Sequence, residues 1–290
     1  MINTFTIDVE DYFQVAAFEK IISPDDWGTF DYRVEANTER LLALLDDAGV
    51  CATFFMLGWI AERSPQLVRR IAAAGHEVAS HGYAHQLIYR QSAAQFRDDV
   101  HRARALLCDI SGQAVVGYRA PSWSITSKSS WAHSVLIDEG YKYDSSVFPI
   151  KHDLHGTPDA PRCVHRIETD NGSIIEFPPS TVTWLGHNFP TGGGGFFRLY
   201  PYLLTRFMLR SINRKRMPFT FYIHPWEVDP NQPRIAGASF KSRFRHYVNL
   251  RTTYNKLKRL VGDFRFQSLG QQFETIDRDS LPVRRIEPQT

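Results

Sequence analysis

The sequence predicts an α/β protein built around a mainly parallel sheet. Short β-rich runs alternate with amphipathic helical patterns that end at glycine, and polar residues suited to chemistry follow several of the predicted strands. A parallel α/β sheet or barrel places its active site at those strand ends. The rhythm fits a doubly wound sheet or a (β/α) barrel, and periodicity alone does not separate the two.

The first half of the chain has the pattern of successive βα units. Two helix starts carry specific signals, because Ser64 precedes Pro65, and Ser92 and Gln95 have the spacing of a capping box. Strands are predicted at 3–9, 51–57, 76–80 and 115–119, and helices at 39–48, from 65 to Gly75, from 92 onward and up to 139.

The βα rhythm breaks after about residue 148. Asn171 and Gly172 predict a hairpin between two short β-like runs. The four glycines at 192–195 predict a flexible loop, for which a plain linker is favoured over a backbone that contacts a ligand. A basic helix at 200–215, a strand at 219–224 and a second basic helical stretch at about 241–260 follow. This region is an elaboration on the scaffold or a second subdomain.

Length and composition restrict the class of protein. With 290 residues, 43% hydrophobic and 22% charged, the chain is globular and forms one or two domains. Three widely spaced cysteines argue against a disulfide framework or a cysteine-built zinc site. The N-terminal MINTFTIDVEDYF lacks the regions of a signal peptide, and no apolar run is long enough to span a membrane. A cytoplasmic location is therefore expected.

The net charge of +3 conceals an uneven distribution. Residues 198–259 contain 14 Lys and Arg against 2 Asp and Glu, whereas residues 1–197 contain 16 against 24. Such a basic segment suits an anionic polymer or a phosphate-bearing lipid surface, although a solvated helix surface explains it equally well. The sequence contains no DNA- or RNA-binding motif, so nucleic acid is not an expected partner.

Two groups of potential metal ligands follow predicted strands. In Asp8-Val9-Glu10-Asp11, strand alternation points Asp8 and Glu10 the same way, and a turn would bring Asp11 beside them. His81 and His85 have the i, i+4 spacing that directs two ring nitrogens from one face of a helical turn to one ion. Two histidines and a carboxylate leave positions open, as in a catalytic metal site.

Arg119 and His224 end two further predicted strands. Arg119, within YRAPSW and close to the rigid Pro121, is suited to orient a carboxylate. His224, within FYIHPW, is suited to act as an acid or base near neutral pH. Either residue alone is also compatible with a structural role.

Together these motifs resemble those of the NodB-homology polysaccharide deacetylases, carbohydrate esterase family 4. DVEDYF, SHGYAH, YRAPSW, YKYDSSVFP and FYIHPW occur in the family's order, and the resemblance covers nearly the whole chain. The chain looks most like the allantoinase-like and peptidoglycan-deacetylase-like branch, and within it like exopolysaccharide-locus enzymes. The resemblance implies a distorted, incomplete (β/α) barrel of the seven-stranded type in one domain, 1–290. Its C-terminal region, from about residue 150, would be integrated with the barrel and contribute His224.

The resemblance also implies a reaction and the residues that perform it. A divalent metal, usually zinc in the family, is expected at His81 and His85. Arg119 corresponds to the arginine that orients the catalytic carboxylate, and His224 to the general acid. The implied reaction is hydrolysis of N-acetyl groups from amino sugars of an exopolysaccharide or of its lipid-linked precursor.

The acidic motif departs from the adjacent pair of aspartates that is usual in the family. Spacing by one residue makes Asp8 the base and Glu10 the metal ligand, whereas strict adjacency makes Glu10 the base and Asp11 the ligand. We favour the first assignment because Asp8 and Glu10 share one face of the strand. Asp11 is retained as a second candidate ligand.

In the predicted reaction, Asp8 deprotonates a metal-activated water and His224 protonates the departing amine. Aromatic and loop residues of the motifs are predicted to contact the sugar or to lie near the oxyanion. These residues are Tyr12, Tyr118, Pro121, Trp123, Asp144 and Trp226. The Asp-Ser-Ser context of Asp144 also fits a turn or a helix cap.

Two other functions remain compatible with the sequence. The same metal and water chemistry would hydrolyse a cyclic amide or ureide in a closed cavity. A non-catalytic glycan-binding protein would hold an anionic polysaccharide on residues 198–259, but it would not need a general acid. In the enzyme interpretation, the same basic segment predicts peripheral contact with the anionic inner face of a membrane.

Overall fold

The computed structural model describes residues 1–151 and 156–286. Its strands are β1 (Ile2–Val9), β2 (Thr53–Met56), β3 (Glu77–Ser80), β4 (Gly117–Tyr118), β5 (Tyr143–Asp144), β6 (His165–Thr169), β7 (Gly172–Glu176), β8 (Thr181–Trp184), β9 (His187–Pro190), β10 (Thr220–Ile223), β11 (Arg265–Gln267) and β12 (Val283–Arg285). Its α-helices are α1 (Val34–Asp47), α2 (Gly58–Arg63), α3 (Pro65–Ala73), α4 (Ala93–Ser111), α5 (Ala132–Asp138), α6 (Gly194–Leu199), α7 (Tyr202–Arg214), α8 (Phe240–Tyr247), α9 (Leu250–Asp263) and α10 (Leu269–Thr275).

The main sheet has the strand order β10-β1-β2-β3-β4-β5-β7-β6-β12. The seven strands from β10 to β7 run parallel to one another, which confirms the parallel α/β prediction. β6 and β7 form the antiparallel hairpin predicted at Asn171 and Gly172. Among the described strands, β10 and β12 stand at opposite ends of this order and do not pair with each other. The architecture is therefore an incomplete barrel.

β1 has strand partners on both of its edges. It pairs with β2, β10 and β11, so the C-terminal half of the chain completes the surroundings of the first strand. Every residue from Asn3 to Val9 is buried. Because both faces of a central parallel strand are covered, β1 is not restricted to alternating apolar and polar residues. Its carboxyl end delivers Asp8 and Glu10 to the same edge as the ends of β3, β4 and β10.

Two predicted helix starts are confirmed, although one uses a different contact. Ser92 caps α4, because its hydroxyl accepts from the backbone N–H of Gln95. The side-chain oxygen of Gln95 in turn accepts from the backbone N–H of Ser92. Pro65 begins α3 as predicted. The Ser64 hydroxyl does not cap that helix and instead lies 2.7 Å from the hydroxyl of Tyr32. None of the helices in the described ranges is both long and apolar enough to cross a bilayer.

Two segments of the C-terminal half differ from expectation. The glycines at 192–195 are neither a linker nor a free loop, because Gly193 pairs with Tyr222 of β10. A Cβ on Gly193, which has a φ of 139°, would lie 1.9 Å from the carbonyl oxygen of Tyr222, so only glycine permits this approach. The basic helix expected at 241–260 is divided into α8 and α9, because Asn249 adopts a left-handed φ of 56° between them.

Candidate metal centre

Glu10 and two histidines form a buried group at the carboxyl edge of the sheet. Nitrogen and oxygen atoms of Glu10, His81 and His85 all lie within 4.8 Å of one another. Glu10 Oε2 is 2.8 Å from His85 Nε2, although no atom of the described residues forms a hydrogen bond of good geometry with that oxygen. One carboxylate and two imidazoles are a donor set that zinc prefers, and they leave a coordination position open. The residues therefore fit a divalent ion.

The protonation of these side chains agrees with that fit. His81 Nδ1 lies 2.7 Å from the carbonyl oxygen of Arg119, which only accepts, so Nδ1 carries the proton and Nε2 keeps its lone pair. Burial and the neighbouring His85 lower the pKa of His81 to about 3, so this ring is neutral at pH 7. Burial raises the pKa of Glu10, but His85 and His224 outweigh it, and the net direction is downward.

The segment that carries both histidines is a loop, which corrects the expected helical turn. β3 ends at Ser80, and His85 has a left-handed φ of 52°. The carboxylate of Asp99, on α4, accepts from the backbone N–H groups of Tyr83 at 2.8 Å and Ala84 at 3.2 Å. Asp99 therefore fixes the loop from a helix that sequence spacing does not connect with it.

Asp8 is held by a fully buried arginine. Arg119 Nη1 donates to Asp8 Oδ1 at 2.6 Å and to Thr6 Oγ1 at 2.7 Å. Arg119 Nη2 donates to Ser145 Oγ at 2.8 Å, and the guanidinium also lies over the ring of Trp123. This arrangement occupies one carboxylate oxygen of Asp8 and leaves Oδ2 directed toward His224, whose Nε2 is 3.8 Å away.

His224 stands beside both carboxylates at the end of β10. Its Nε2 is 3.1 Å from Glu10 Oε1, and its Nδ1 is 2.6 Å from Glu227 Oε1. Burial lowers the pKa of His224, but Glu10, Glu227 and Asp8 together raise it to about 9. The ring is therefore protonated at neutral pH. Its side chain is 17% exposed, against 3% for Asp8 and 4% for Glu10, so His224 is the accessible member of the group.

Glu227 and Arg198 extend this group, and neither was predicted from the sequence as a site residue. Glu227 is fully buried, and its Oε2 accepts from Arg198 Nε at 2.5 Å. Arg198 is 2% exposed and also donates to the carbonyl oxygens of His246 and Val248. The spacing His224-Pro-Trp-Glu227 is the sequence signal that could have predicted this contact. A carboxylate three residues after a histidine can accept from both the ring Nδ1 and the backbone N–H of that histidine, as Glu227 does.

Asp11 does not join the candidate metal ligands, which corrects its expected position. Its carboxylate accepts from the backbone N–H of Tyr12 at 2.8 Å, of Arg33 at 2.7 Å and of Val34 at 2.9 Å. Val34 begins α1, so Asp11 satisfies the unpaired amides at that helix start. Burial raises the pKa of Asp11 to about 6, against the opposing effect of these amides.

The residues predicted to contact substrate are all largely buried. Trp123 and Trp226 border the group, because Trp123 packs on Arg119, and Trp226 stacks on His224 at a centroid distance of 5.3 Å. Pro121 follows Arg119 closely, and Tyr12 packs against Phe13 and Phe30. Tyr118 and Asp144 are 0% exposed and face the interior, which corrects the prediction of sugar contacts for these two residues.

Two families match the chain. Residues 26–142 match the family described as polysaccharide deacetylase, and residues 145–274 match one described as a domain of unknown function (DUF3473). The first segment includes His81, His85 and Arg119, and the second includes His224. Asp8 and Glu10 precede both segments, so their placement in the group comes from the pairing of β1 with its neighbours.

Curated relatives are similar to part of the chain. The peptidoglycan deacetylase of Helicobacter pylori is 34% identical over 125 residues, which are 43% of this chain and 42% of its own length. The peptidoglycan-N-acetylglucosamine deacetylase of Bacillus cereus is 32% identical over 96 residues, 33% of this chain and 35% of its own. The chain thus spans less than half the length of these relatives.

A solved structure is similar over nearly the whole chain. A Mycobacterium smegmatis protein assigned to the polysaccharide deacetylases superposes with a TM-score of 0.67 at 21% identity, covering 99% of this chain and 93% of that one. At this identity the likeness shows the fold. Residues 26–142, which carry His81, His85 and Arg119, thus match the family described as polysaccharide deacetylase, and the fold of the chain is that of an incomplete (β/α) barrel.

Proposed function

We propose that the chain is a metal-dependent hydrolase that removes N-acetyl groups from amino sugars, and that 1–290 act as one catalytic unit. The observation that carries this proposal is the meeting of three functions at one edge of the sheet. A candidate ion site at Glu10, His81 and His85 adjoins a carboxylate held by an arginine and a protonated histidine. A site that only bound glycan would not need this combination.

The side chains divide the reaction between them. Glu10, His81 and His85 would hold a divalent ion, zinc by donor type, which when bound polarises an amide carbonyl and lowers the pKa of water. Asp8 Oδ2 then accepts a proton from the attacking water, because Asp8 Oδ1 is engaged by Arg119. Arg119 holds Asp8 with its Oδ2 directed toward His224.

His224 supplies the proton that the leaving amine needs. Its Nε2 faces the carboxylates, while Glu227 accepts from Nδ1 and holds the ring. Since its pKa is raised to about 9, the ring carries that proton at neutral pH, as a general acid must. The products are acetate and a free amino sugar.

The proposed substrate is an N-acetylated exopolysaccharide or its lipid-linked precursor at the anionic inner face of a membrane. An exposed apolar patch on α7 and the β8–β9 hairpin supports this location. The membrane patch comprises Trp184, Leu185, Leu203, Leu204 and Phe207, each 44–80% exposed. Exposed cations follow at the end of α7, at positions 214–216. Apolar side chains flanked by cations match the interface of an anionic bilayer.

Acetate release from a panel of N-acetylated sugars tests the proposed activity. We expect release by the zinc-loaded full chain, none by His81→Ala, and a large loss for His224→Ala with its zinc content retained. His101→Ala, an exposed histidine, is the matched control and should behave as wild type. Equal release by wild type, His81→Ala and His224→Ala would refute the mechanism. Opening of cyclic ureides without acetate release from any sugar would favour the cyclic-amide alternative.

A further inference from the structure

A second buried cluster of potential ligands lies away from the candidate metal centre. Nitrogen and oxygen atoms of His133, Asp144 and Glu176 lie within 4.8 Å of one another. These residues come from α5, β5 and β7 and are 1%, 0% and 0% exposed. His165, also 0% exposed, stands directly opposite Glu176 in the register of β6 and β7. The proposed reaction uses none of these four side chains.

In both carboxylates, Asp144 and Glu176, one oxygen is held by hydrogen bonds, and this fixes the direction of the second oxygen. Asp144 Oδ1 accepts from Ser145 N–H at 2.8 Å and from the Ser146 hydroxyl. Glu176 Oε1 accepts from Val147 N–H at 2.9 Å. The second oxygen of each carboxylate accepts from no N–H or hydroxyl group of the described residues, and the two carboxyl groups are close enough to share a proton.

Both histidines have the tautomer that a metal ligand needs. His133 Nδ1 lies 3.1 Å from the carbonyl oxygen of Ser130, and His165 Nδ1 lies 2.9 Å from that of Cys163. Carbonyl oxygens only accept, so each Nδ1 carries a proton, and in the neutral ring Nε2 presents the lone pair. Neither Nε2 has a hydrogen-bond partner among the described residues. A hydrogen bond from Nδ1 to a carbonyl is the usual support of a histidine that binds metal.

Such a cluster needs a positive charge, either a proton or a cation. Buried carboxylates lose their solvation and repel one another. Burial, together with the charge and the hydrogen bond of Asp144, raises the pKa of Glu176 well above its usual value, so a proton between the two carboxyl groups is the competing occupant. His133 Nε2 and Asp144 Oδ2 are 3.3 Å apart, and ligands about 2.1 Å from a tetrahedral ion are themselves separated by about 3.4 Å. This spacing suits two ligands of one ion, which would take the place of that proton.

We propose that His133, Asp144 and Glu176 bind a second divalent transition-metal ion with a structural role. His165 faces Glu176 across the hairpin but lies outside the group of atoms that are all within 4.8 Å of one another. One imidazole and two carboxylates suit zinc, manganese or iron(II). The ion would connect α5, β5 and β7, at the point where the parallel part of the sheet meets its antiparallel hairpin.

The second site adjoins the residues that hold Arg119 in place. Asp144 Oδ1 accepts from Ser145 and Ser146, Ser145 in turn accepts from Arg119 Nε and Nη2, and Ser146 accepts from Ala120 N–H. An ion on Asp144 therefore stabilises the backbone behind Arg119. Its loss should lower thermal stability more than it changes the zinc content of the first site.

Metal analysis of the full chain tests this proposal. After dialysis against zinc at low micromolar concentration, wild type should retain two ions, Glu176→Gln one and His81→Ala one. Wild type with a single ion that is lost in His81→Ala and kept in Glu176→Gln would overturn the proposal and leave the first site intact. His81→Ala loaded with cobalt isolates the second site, where we expect d–d absorption that disappears in His81→Ala/Glu176→Gln.

A variant that keeps the side-chain volumes protects the test against misfolding. Glu176→Gln retains the acceptor that binds Val147 N–H, and circular dichroism shows whether the fold is kept. Metal-free His81→Ala should gain thermal stability when zinc is added, while His81→Ala/Glu176→Gln should not. An equal response of the two proteins, or none in either, would show that the cluster is satisfied by protons and would overturn the proposal.

Discussion

Arg198 Nε donates to Glu227 Oε2 at 2.5 Å in the interior of the protein. Arg198 is the first cation of the basic segment, so part of that positive charge lies inside and supports the proposed acid His224 through Glu227. The guanidinium also lies over the ring of Trp226, which stacks on His224. The positive charge of residues 198–259 thus has two locations. Arg198 lies inside and supports Glu227, whereas the cations at the end of α7 are exposed.

Replacing Glu227 by Gln should shift the pH dependence of turnover. Protonated His224 is the active form, so activity is present below its pKa, which Glu227 helps to raise, and is lost as the pH rises through it. Without the Glu227 carboxylate that pKa falls, and the alkaline limb of kcat moves to lower pH. We expect kcat at pH 8 to fall roughly 10–100-fold with KM and zinc content unchanged. Glu274→Gln, an exposed carboxylate, is the control, and an unchanged limb would exclude this role.

Replacing Arg119 by Met should destabilise the protein strongly. The change leaves Asp8 buried without its partner, which costs about 3–5 kcal/mol of unfolding free energy. Arg90→Met breaks an exposed pair with Glu19 and should cost at most about 1 kcal/mol. Urea unfolding at pH 7 measures both values. Similar losses in the two variants would contradict the buried pairing of Arg119.

Glu10 and Asp11 should give opposite results when changed one at a time. Glu10→Gln should lower the zinc content by one ion per chain, because it removes a candidate ligand. Asp11→Ala should leave zinc content at the wild-type level and cost about 1–3 kcal/mol of stability, because three backbone amides lose their acceptor. Atomic emission and thermal unfolding provide both readouts. Zinc loss in Asp11→Ala with stability unchanged would reverse the assignment.

Charge removal at the end of α7 should weaken vesicle binding. Each cation near an anionic surface contributes about 1 kcal/mol, so changing the three at 214–216 to Gln should lower the partition coefficient on the order of a hundredfold. Sedimentation with phosphatidylserine vesicles at low and high salt measures this. A control with Arg69, Arg70 and Lys128 changed to Gln removes equal charge elsewhere and should bind as wild type. Equal binding by both variants, or binding that does not depend on salt concentration, would contradict the proposed contact of this region with an anionic membrane.

Local signals predicted much of the fold. The capping box at Ser92 and Gln95, the start of α3 at Pro65 and the hairpin near Gly172 all depend on neighbouring residues, and the structure contains them. The strands that end at the candidate site were also predicted, because parallel sheets place polar residues at such ends. Closure of the pattern into an incomplete barrel came from the family resemblance, since periodicity contains no information on curvature.

Long-range contacts explain what the sequence reading missed. The loop at His81 and His85 is shaped by Asp99 on α4, and Asp11 is turned aside by amides of Arg33 and Val34, 22 and 23 residues away. Spacing within a motif cannot predict such partners. Asp144 was assigned to substrate from its motif alone, whereas its contact with His133 depends on the packing of α5 on the sheet.

The position of β10 beside β1 also has a consequence for synthesis. β1 is made first, but one of its two edges stays without its main partner until residues 220–223 have left the ribosome. Exposed strand edges invite pairing between chains. Until then β1 has an edge that can pair with another chain, and shielding by a chaperone matters most during that interval. Docking of β10 on β1 brings His224 to the candidate metal centre and covers this edge in the same event.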